Sequence, residues 1–175
     1  SSTCPELKVS KCREISEIIR TAPLFIYSTM REKNKKEVAF RASTRGYGIF
    51  NGWDGQWACK LLDACCADEV VKKYLNFIEN SRGPNGAVTF VVDYDFGPVY
   101  GRNFHTPLPE RKLGDGWTVV FDCWAIENLH QYFFRTKDWK QLSICFPAIR
   151  TALRTIYSNA SDYGLVESCF GLSLI

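Results

Sequence analysis

Histidine is scarce in this sequence, and its scarcity limits the catalytic chemistry that the chain can support. Only two histidines occur among the 175 residues. His105 falls in a segment that contains prolines, and His130 lies beside aromatic residues in a predicted strand. General acid–base and nucleophilic sites most often use an imidazole. We therefore expect a binding protein rather than an enzyme.

Long apolar runs, a tract that gathers the net charge, and paired CxxC motifs are also missing. No stretch approaches the roughly 20 apolar residues that a membrane-spanning helix needs. The 22 basic and 19 acidic side chains give a net charge of +3 and are spread along the chain, so we expect neither membrane insertion nor nucleic-acid binding. Without CxxC spacing, no metal site is predicted, and no cofactor is expected.

The remaining candidates for chemistry are a thiol and three carboxylates. Cys123 follows Asp122 and precedes an apolar stretch, which is similar to the nucleophile region of papain-like peptidases. Those enzymes need a histidine later in the chain, and none follows His130. Asp93, Asp95 and Asp122 could form a carboxylate pair, but single acids at strand ends are usually solvated or cap a turn.

Cysteine, in contrast, is abundant, with eight in the chain. Reduced cytosolic proteins usually carry few, so the count predicts an oxidising compartment. We expect residues 1–175 to form a single secreted domain stabilised by disulfides. The sequence begins at Ser1 without methionine, which predicts a mature chain whose signal peptide has been removed. Asn159, followed by Ala160 and Ser161, fits an N-glycosylation acceptor and agrees with secretion.

Local residue patterns predict a mostly β chain with flanking helices. The charged run over residues 31–36 predicts the tip of a hairpin. Apolar residues spaced by four and three predict a helix over residues 61–78. Asp138 is expected to cap a C-terminal helix, which Pro147 should kink or delay. Aromatic and β-branched runs predict strands over residues 24–30, 37–43, 45–50, 87–94, 117–124 and 129–135.

Aromatic residues are the most numerous candidate binding groups: five Trp, eight Tyr and twelve Phe. Alternate positions on the predicted strands would gather many of them on one face of a sheet. A barrel not completely filled by these side chains would enclose a dry cavity for a tetrapyrrole, carotenoid, retinoid or fatty acid. A barrel that they fill would use them only as core. The predicted ligand-binding residues are Phe25, Tyr27, Phe40, Phe90, Tyr94, Trp117, Phe121, Tyr132 and Phe134.

Three segments of the chain carry a family resemblance. The chain opens with Cys4 followed by Pro-Glu-Leu-Lys-Val, residues 132–139 place Arg135 just before the C-terminal helix, and residues 157–169 end in Cys169. Together these segments resemble the lipocalins, in particular the invertebrate branch of bilin-binding proteins and crustacyanins. The Gly-X-Trp motif of the first lipocalin strand is missing from residues 24–30.

The lipocalin resemblance implies a β-barrel with a C-terminal helix and assigns structural roles. Arg135 matches the residue that packs over the closed end of the barrel. Helical periodicity over residues 61–78 departs from the family, in which that region forms strands. A disulfide-rich α+β sandwich is therefore the alternative fold. The implied disulfides join Cys4 to Cys123, and Cys169 to Cys59 or Cys65.

Two functions from different classes follow. The first is a secreted carrier that holds a small hydrophobic molecule in an aromatic-lined cavity, with the possibility of an oligomer left open. The second is a secreted interaction module or inhibitor with no bound ligand, which uses exposed aromatic residues such as Trp53, Trp57 and Trp139.

Overall fold

The described part of the chain is mainly helical. A computed structural model of the protein describes residues 13–41, 49–50, 54–82, 88, 91–92, 116–158, 160 and 162–163. Its secondary structure elements are α1 (Arg13–Thr29), β1 (Met30–Asn34), β2 (Glu37–Phe40), β3 (Ile49–Phe50), α2 (Asp54–Ala64), α3 (Asp68–Asn80), β4 (Val91–Val92), α4 (Gly116–Thr136) and α5 (Trp139–Ser158). The predicted mostly β fold with a lipocalin-like barrel is therefore wrong. The α+β sandwich fails too, because the strands in these ranges form only two-stranded sheets.

Helix α1 replaces the first predicted strand, residues 24–30. Apolar side chains at Ile15, Ile18 and Phe25 are spaced by three and seven residues, which is a helical period over the whole segment. The strand pattern covered only the last two turns of this helix. Pro23 lies inside α1, where a proline usually signals a helix boundary. Because the predicted strand started directly after Pro23, the prediction missed the helix.

The first hairpin is present with its turn inside the predicted tip, but its first strand is Met30–Asn34 and not the predicted strand over residues 24–30. Strands β1 and β2 pair antiparallel with Met30 opposite Phe40, and the chain turns at residues 35–36, within the charged run that was expected to form the tip. The side-chain oxygen of Asn34 accepts the backbone N–H of Lys36 at 2.8 Å, as in an Asx turn. All four residues of β2 are buried. The hairpin thus packs its second strand against α3.

A second, shorter antiparallel pair joins β3 to β4. Ile49 lies opposite Val92 and Phe50 opposite Val91. Both strands fall within predicted strands, but each has only two residues. Within the described residues, this pairing covers two residues of each strand.

The predicted helix over residues 61–78 is divided in two by a sharp joint. Cys66, in the joint, has a φ of 57°. The N–H of Ala67 donates to the carbonyl of Leu62 at 2.9 Å, and the N–H of Cys66 donates to the backbone carbonyl of Asp63, also at 2.9 Å. These two bonds form a Schellman motif, whose left-handed position is usually glycine. The periodicity gave no sign of the joint because a cysteine occupies that position.

Helix α4 replaces the two strands predicted within residues 117–135, and that prediction is wrong. Phe121 and Ala125, four residues apart, are both buried, as a helix packed on a core requires. Asp122 and Asn128 are buried as well. Because polar side chains occupy core-facing positions and apolar ones occur on other sides, the helical period is hidden and an alternating pattern stands out instead.

Helix α5 begins where the sequence predicted. The Asp138 carboxylate accepts the backbone N–H of Gln141 at 2.9 Å and so caps the first turn. Hydrogen bonds from the Lys72 ammonium and from the Gln141 amide lower the pKa of Asp138 to about 2. The helix continues through Pro147 to Ser158, so the proline does not delay its start.

Arg135 has a structural position, but not the one that the lipocalin resemblance implied. Its guanidinium forms ion pairs with Asp63 and Asp68, each with an N···O distance of 2.6 Å. These carboxylates lie on either side of the joint at Cys66, so Arg135 connects α4 to both α2 and α3. Since there is no barrel end to cover, its role is corrected to that of a clamp across the joint.

The core lies between β2 and the four helices α2 to α5. No helix in the described ranges is both long and apolar enough to span a lipid bilayer. The largest completely buried apolar side chains are Tyr74, Phe40, Phe77, Phe121, Leu62 and Ile78.

We predict that Cys66→Gly raises the free energy of unfolding. Glycine removes the crowded Cβ from a left-handed position, which costs a non-glycine residue about 1 kcal/mol, while the more flexible unfolded chain offsets part of this gain. Urea unfolding in reducing buffer measures the change. Ala64→Gly, at a helical position of the same turn, is the control and should lower stability. A Cys66→Gly midpoint below that of the wild type would contradict the prediction.

Candidate functional site

The structure separates the aromatic residues that were predicted to line a cavity. Three of them are buried in the core: Phe40, Phe121 and Tyr132. Three others are exposed: Phe25, Tyr27 and Phe134. Phe90, Tyr94 and the side chain of Trp117 lie outside the described residues. Since three of the six described side chains are core residues and three are exposed, a cavity lined by them stays a prediction.

The predicted disulfides involve cysteines in very different environments. Cys59 is buried in the core, whereas Cys123 is exposed on α4. No disulfide links two of the cysteines that the structure describes. The predicted partners Cys4 and Cys169 lie outside the described residues, and so does the predicted glycosylation acceptor Asn159. Secretion and both disulfide pairings therefore stay predictions.

Cys123, the one thiol that the sequence suggested as a nucleophile, is not activated. Burial and the neighbouring Asp122 carboxylate both raise the pKa of its thiol, which disfavours the thiolate. His130 lies two turns along the same helix, about 10 Å away, with its ring 6.0 Å from that of Phe134. His105 is outside the described residues. Within those residues, no three His, Cys, Asp or Glu side chains are close enough to hold a metal ion.

Asp122, one of the carboxylates considered for acid–base chemistry, belongs to a buried ion-pair cluster. Its side chain is 1% exposed and lies 2.7 Å from Arg82 Nη1. The same guanidinium binds Glu79 at 3.0 Å. Burial raises the pKa of Asp122 to about 6 although Arg82 acts to lower it. The cluster joins the end of α3 to α4; Asp93 and Asp95 lie outside the described residues.

Exposed aromatic side chains converge at the turn between α4 and α5. Phe134 is 68% exposed and Trp139 is 69% exposed. The Trp139 ring meets Phe133 nearly edge-on, with centroids 4.8 Å apart. Lys137 Nζ lies 4.2 Å from the ring centroid of Phe134 and 5.7 Å from that of Phe133. With His130, whose ring is tilted by 32° against that of Phe134, these residues form what we call the corner cluster.

The turn beneath the corner cluster is fixed by a partly buried set of hydrogen bonds. Lys137 has a φ of 55°, and its N–H donates to the carbonyl of Phe133 at 2.8 Å. Asp138 Oδ2 accepts hydrogen bonds from Lys72 at 2.7 Å and from the Tyr132 hydroxyl at 3.1 Å. Burial and the bond to Asp138 raise the pKa of Tyr132 to about 12. The corner cluster is therefore held in place by α3, α4 and α5 together.

The corner cluster combines apolar rings with a cation. An ammonium over an aromatic face is stabilised by the ring quadrupole, and Trp139 beside Phe133 adds a rigid apolar edge. Binding hot spots are enriched in tryptophan, tyrosine and arginine and lie in places that a partner can shield from water. This surface can bind an apolar group that also carries negative charge.

A second exposed tryptophan has the same kind of neighbour. Trp57, on α2, lies 6.1 Å from Trp124 between ring centroids. Lys60 Nζ is 4.8 Å from the Trp57 ring and 2.6 Å from the Glu127 carboxylate. Trp53, the third tryptophan suggested as an exposed anchor, is outside the described residues.

Comparisons with protein-family models, with curated proteins and with solved structures found no match. The lipocalin resemblance stays without support from them, and the helical fold removes the barrel that it implied.

Sequence reasoning found only part of the corner cluster. It singled out Phe134 as a cavity residue and Trp139 as an exposed anchor, but it gave no role to Phe133 or Lys137. A signal was present, since Lys137 directly precedes the helix-capping Asp138, and basic residues are common in the last turn of a helix. Recognising α4 as a helix would have placed these side chains at one corner.

Asp122→Asn should remove a pH dependence from the free energy of unfolding. The folded pKa of about 6 lies above the usual value of 3.8, so the folded protein binds this proton more tightly than the unfolded chain. The contribution of Asp122 to the free energy of unfolding should therefore fall as the pH rises from about 4 to about 6. Asparagine keeps an acceptor for Arg82 but cannot ionise.

Urea unfolding at several pH values between about 4 and 7 measures this effect. The stability of the Asp122→Asn variant relative to wild type should rise across this range. Glu127→Gln, which changes an exposed carboxylate on the same helix, is the control and should not show this rise. Parallel profiles for wild type and Asp122→Asn would show that Asp122 does not titrate in this range.

Proposed function

We propose that this protein is an interaction protein that binds another protein through the corner cluster. The observation that carries the proposal is the pair of exposed rings, Phe134 and Trp139, held beside Lys137 on a fixed turn. Leaving one large apolar side chain in water is less favourable than burying it by a free energy of about 1.5 to 3 kcal/mol. Clustered exposure of this kind marks a surface that a partner covers.

A protein partner fits this surface better than a small ligand does. Pockets for small molecules are concave and bury 70–90% or more of the ligand surface. The corner cluster is an open surface at the end of two helices, with its rings exposed. Two of the residues proposed for a carrier cavity, Phe40 and Phe121, instead fill the core. These observations favour the interaction protein over the carrier.

The chemistry of Trp57 supports the same proposal. Its exposed ring with Lys60 above it repeats the combination found at the corner cluster. Protein interfaces commonly use a few aromatic and basic anchors surrounded by polar side chains. The abundance of cysteine further suggests that this binding takes place outside the cell.

Selection from a random peptide library tests the proposal without knowledge of the partner. Phage displaying random 16-residue peptides would be selected on the full chain and on a Trp139→Ala, Phe134→Ala double variant. We expect the wild type to enrich peptides that the double variant binds at least about tenfold more weakly, which corresponds to about 1.4 kcal/mol. Both side chains are largely exposed, so the melting temperature should change little.

The matched control is Leu24→Ala, which shortens an exposed apolar side chain on α1. It should bind the selected peptides as the wild type does. Selected peptides that bind the double variant and the wild type equally would overturn the proposal, and so would the absence of any enriched sequence.

A further inference from the structure

The fully covered face of helix α5 consists of small and polar side chains. The buried side chains among those described on this helix are Gln141, Cys145, Ala148 and Ala152, and two larger apolar side chains beside them are only partly buried. Its bulkiest apolar side chains point elsewhere, since Trp139, Phe146 and Tyr157 are all exposed. An ordinary surface helix buries its large apolar residues and exposes polar ones. Helix α5 therefore keeps apolar surface that the described fold does not use.

Three of the exposed apolar residues of α5 are spaced by seven residues, while Ile144 and Tyr157 are exposed outside this spacing. Trp139, Phe146 and Leu153 are seven residues apart and exposed. Leu142 and Ile149, three residues after the first two, are partly buried against the core. Apolar positions in this order form the seam on which a second helix packs in a coiled coil. The seam from Trp139 to Leu153 is about 21 Å long at 1.5 Å per residue.

The charge beside this seam has one sign. The charged residues of α5 are Lys140, Arg150 and Arg154, and the helix contains no acidic residue. None of these three forms an ion pair with an acidic side chain in the part of the chain that the structure describes. Arg150 lies four residues after Phe146 and three before Leu153, so it flanks the seam.

We propose that the outer face of α5 binds an acidic amphipathic α-helix of a partner protein. The partner helix lies along Trp139, Phe146 and Leu153, and its carboxylates face Arg150 and Arg154. The inference rests on the proposed interaction function, because Trp139 belongs to both surfaces. It adds the kind of partner: a helix of about four turns that starts at the corner cluster and follows α5.

The arrangement of charges favours a helix over a membrane surface. Arg150 is nine residues, or two and a half turns, after the completely buried Gln141, so it lies on the side of α5 opposite the core. A helix that binds a membrane turns a broad apolar face outward. Here the apolar residues form a seam bordered by the half-buried Leu142 and Ile149. Pairing with α5 of a second copy would bring like charges together.

Fluorescence anisotropy with designed peptides tests the inference. The probe is a labelled 21-residue peptide of three heptads, with leucine at both seam positions and glutamate beside them. Its counterpart carries lysine in place of glutamate. We expect the full-length protein to bind the acidic peptide at least about tenfold more tightly than the basic one, with weaker binding at high salt.

Variants of the seam locate the binding. Phe146→Ala and Leu153→Ala should each weaken binding of the acidic peptide by about tenfold, while their exposed positions should leave the melting temperature nearly unchanged. Leu24→Ala on α1 is again the control. An acidic peptide with two central prolines keeps the charge but cannot form the helix, and it should bind at least tenfold more weakly.

Several outcomes would overturn the inference. These are equal binding of the acidic and basic peptides, equal binding of the proline peptide, and no effect of Phe146→Ala. Phe146-dependent binding to phosphatidylserine vesicles without peptide binding would assign the face to a membrane, and a Phe146-dependent dimer would assign it to a second copy. If library-selected peptides depend on Trp139 but the acidic helix does not bind, this inference fails while the interaction function stands.

Discussion

The Asp138 carboxylate joins three helices, and the arrangement of the candidate surface depends on it. One oxygen accepts hydrogen bonds from Lys72 on α3 and from Tyr132 on α4. The other caps α5 through the backbone N–H of Gln141. Because its pKa is lowered to about 2, this carboxylate is ionised near neutral pH, where bonds to a charged acceptor are strongest. The direction in which α5 leaves the turn is set by this side chain.

Arg135, one helical turn after Tyr132, supports the same arrangement. By pairing with Asp63 and Asp68, it holds α4 against the joint between α2 and α3. Ion pairs therefore fix α4 near both of its ends. Asp122, near its start, pairs with Arg82, and Arg135, near its end, pairs with Asp63. Exposed side chains on such a scaffold lose little further conformational freedom when a partner binds.

The parts of the fold that the sequence predicted are those determined by neighbouring residues. The Asn34 turn and the Asp138 cap each depend on contacts within three residues. The helix break at Cys66 was missed because the position that favours glycine holds a cysteine. The pairing of Arg135 with Asp63 joins residues 72 positions apart, and no local pattern contains it. Helix α4 was missed because two buried polar residues, Asp122 and Asn128, interrupt its apolar face.

The choice between a carrier and an interaction protein depends on a single feature of the chain, the period of its aromatic residues. In a strand, Tyr132 and Phe134 would point to the same face, and both would line a cavity. In helix α4 the same two residues point in nearly opposite directions, because two positions correspond to about 200° of rotation. Tyr132 is consequently buried against Asp138, and Phe134 is exposed beside Lys137.

The difference between a strand period and a helical period also separates the other described aromatic residues into two sets. Those on the inner sides of the described helices, such as Tyr74 and Phe121, fill the core. Those on the outer sides, such as Trp139 and Phe146, have nothing to cover them in the described fold. An aromatic-rich composition is compatible with both proposed functions, and the helical period, which exposes Trp139 and Phe146, is what favours the interaction protein.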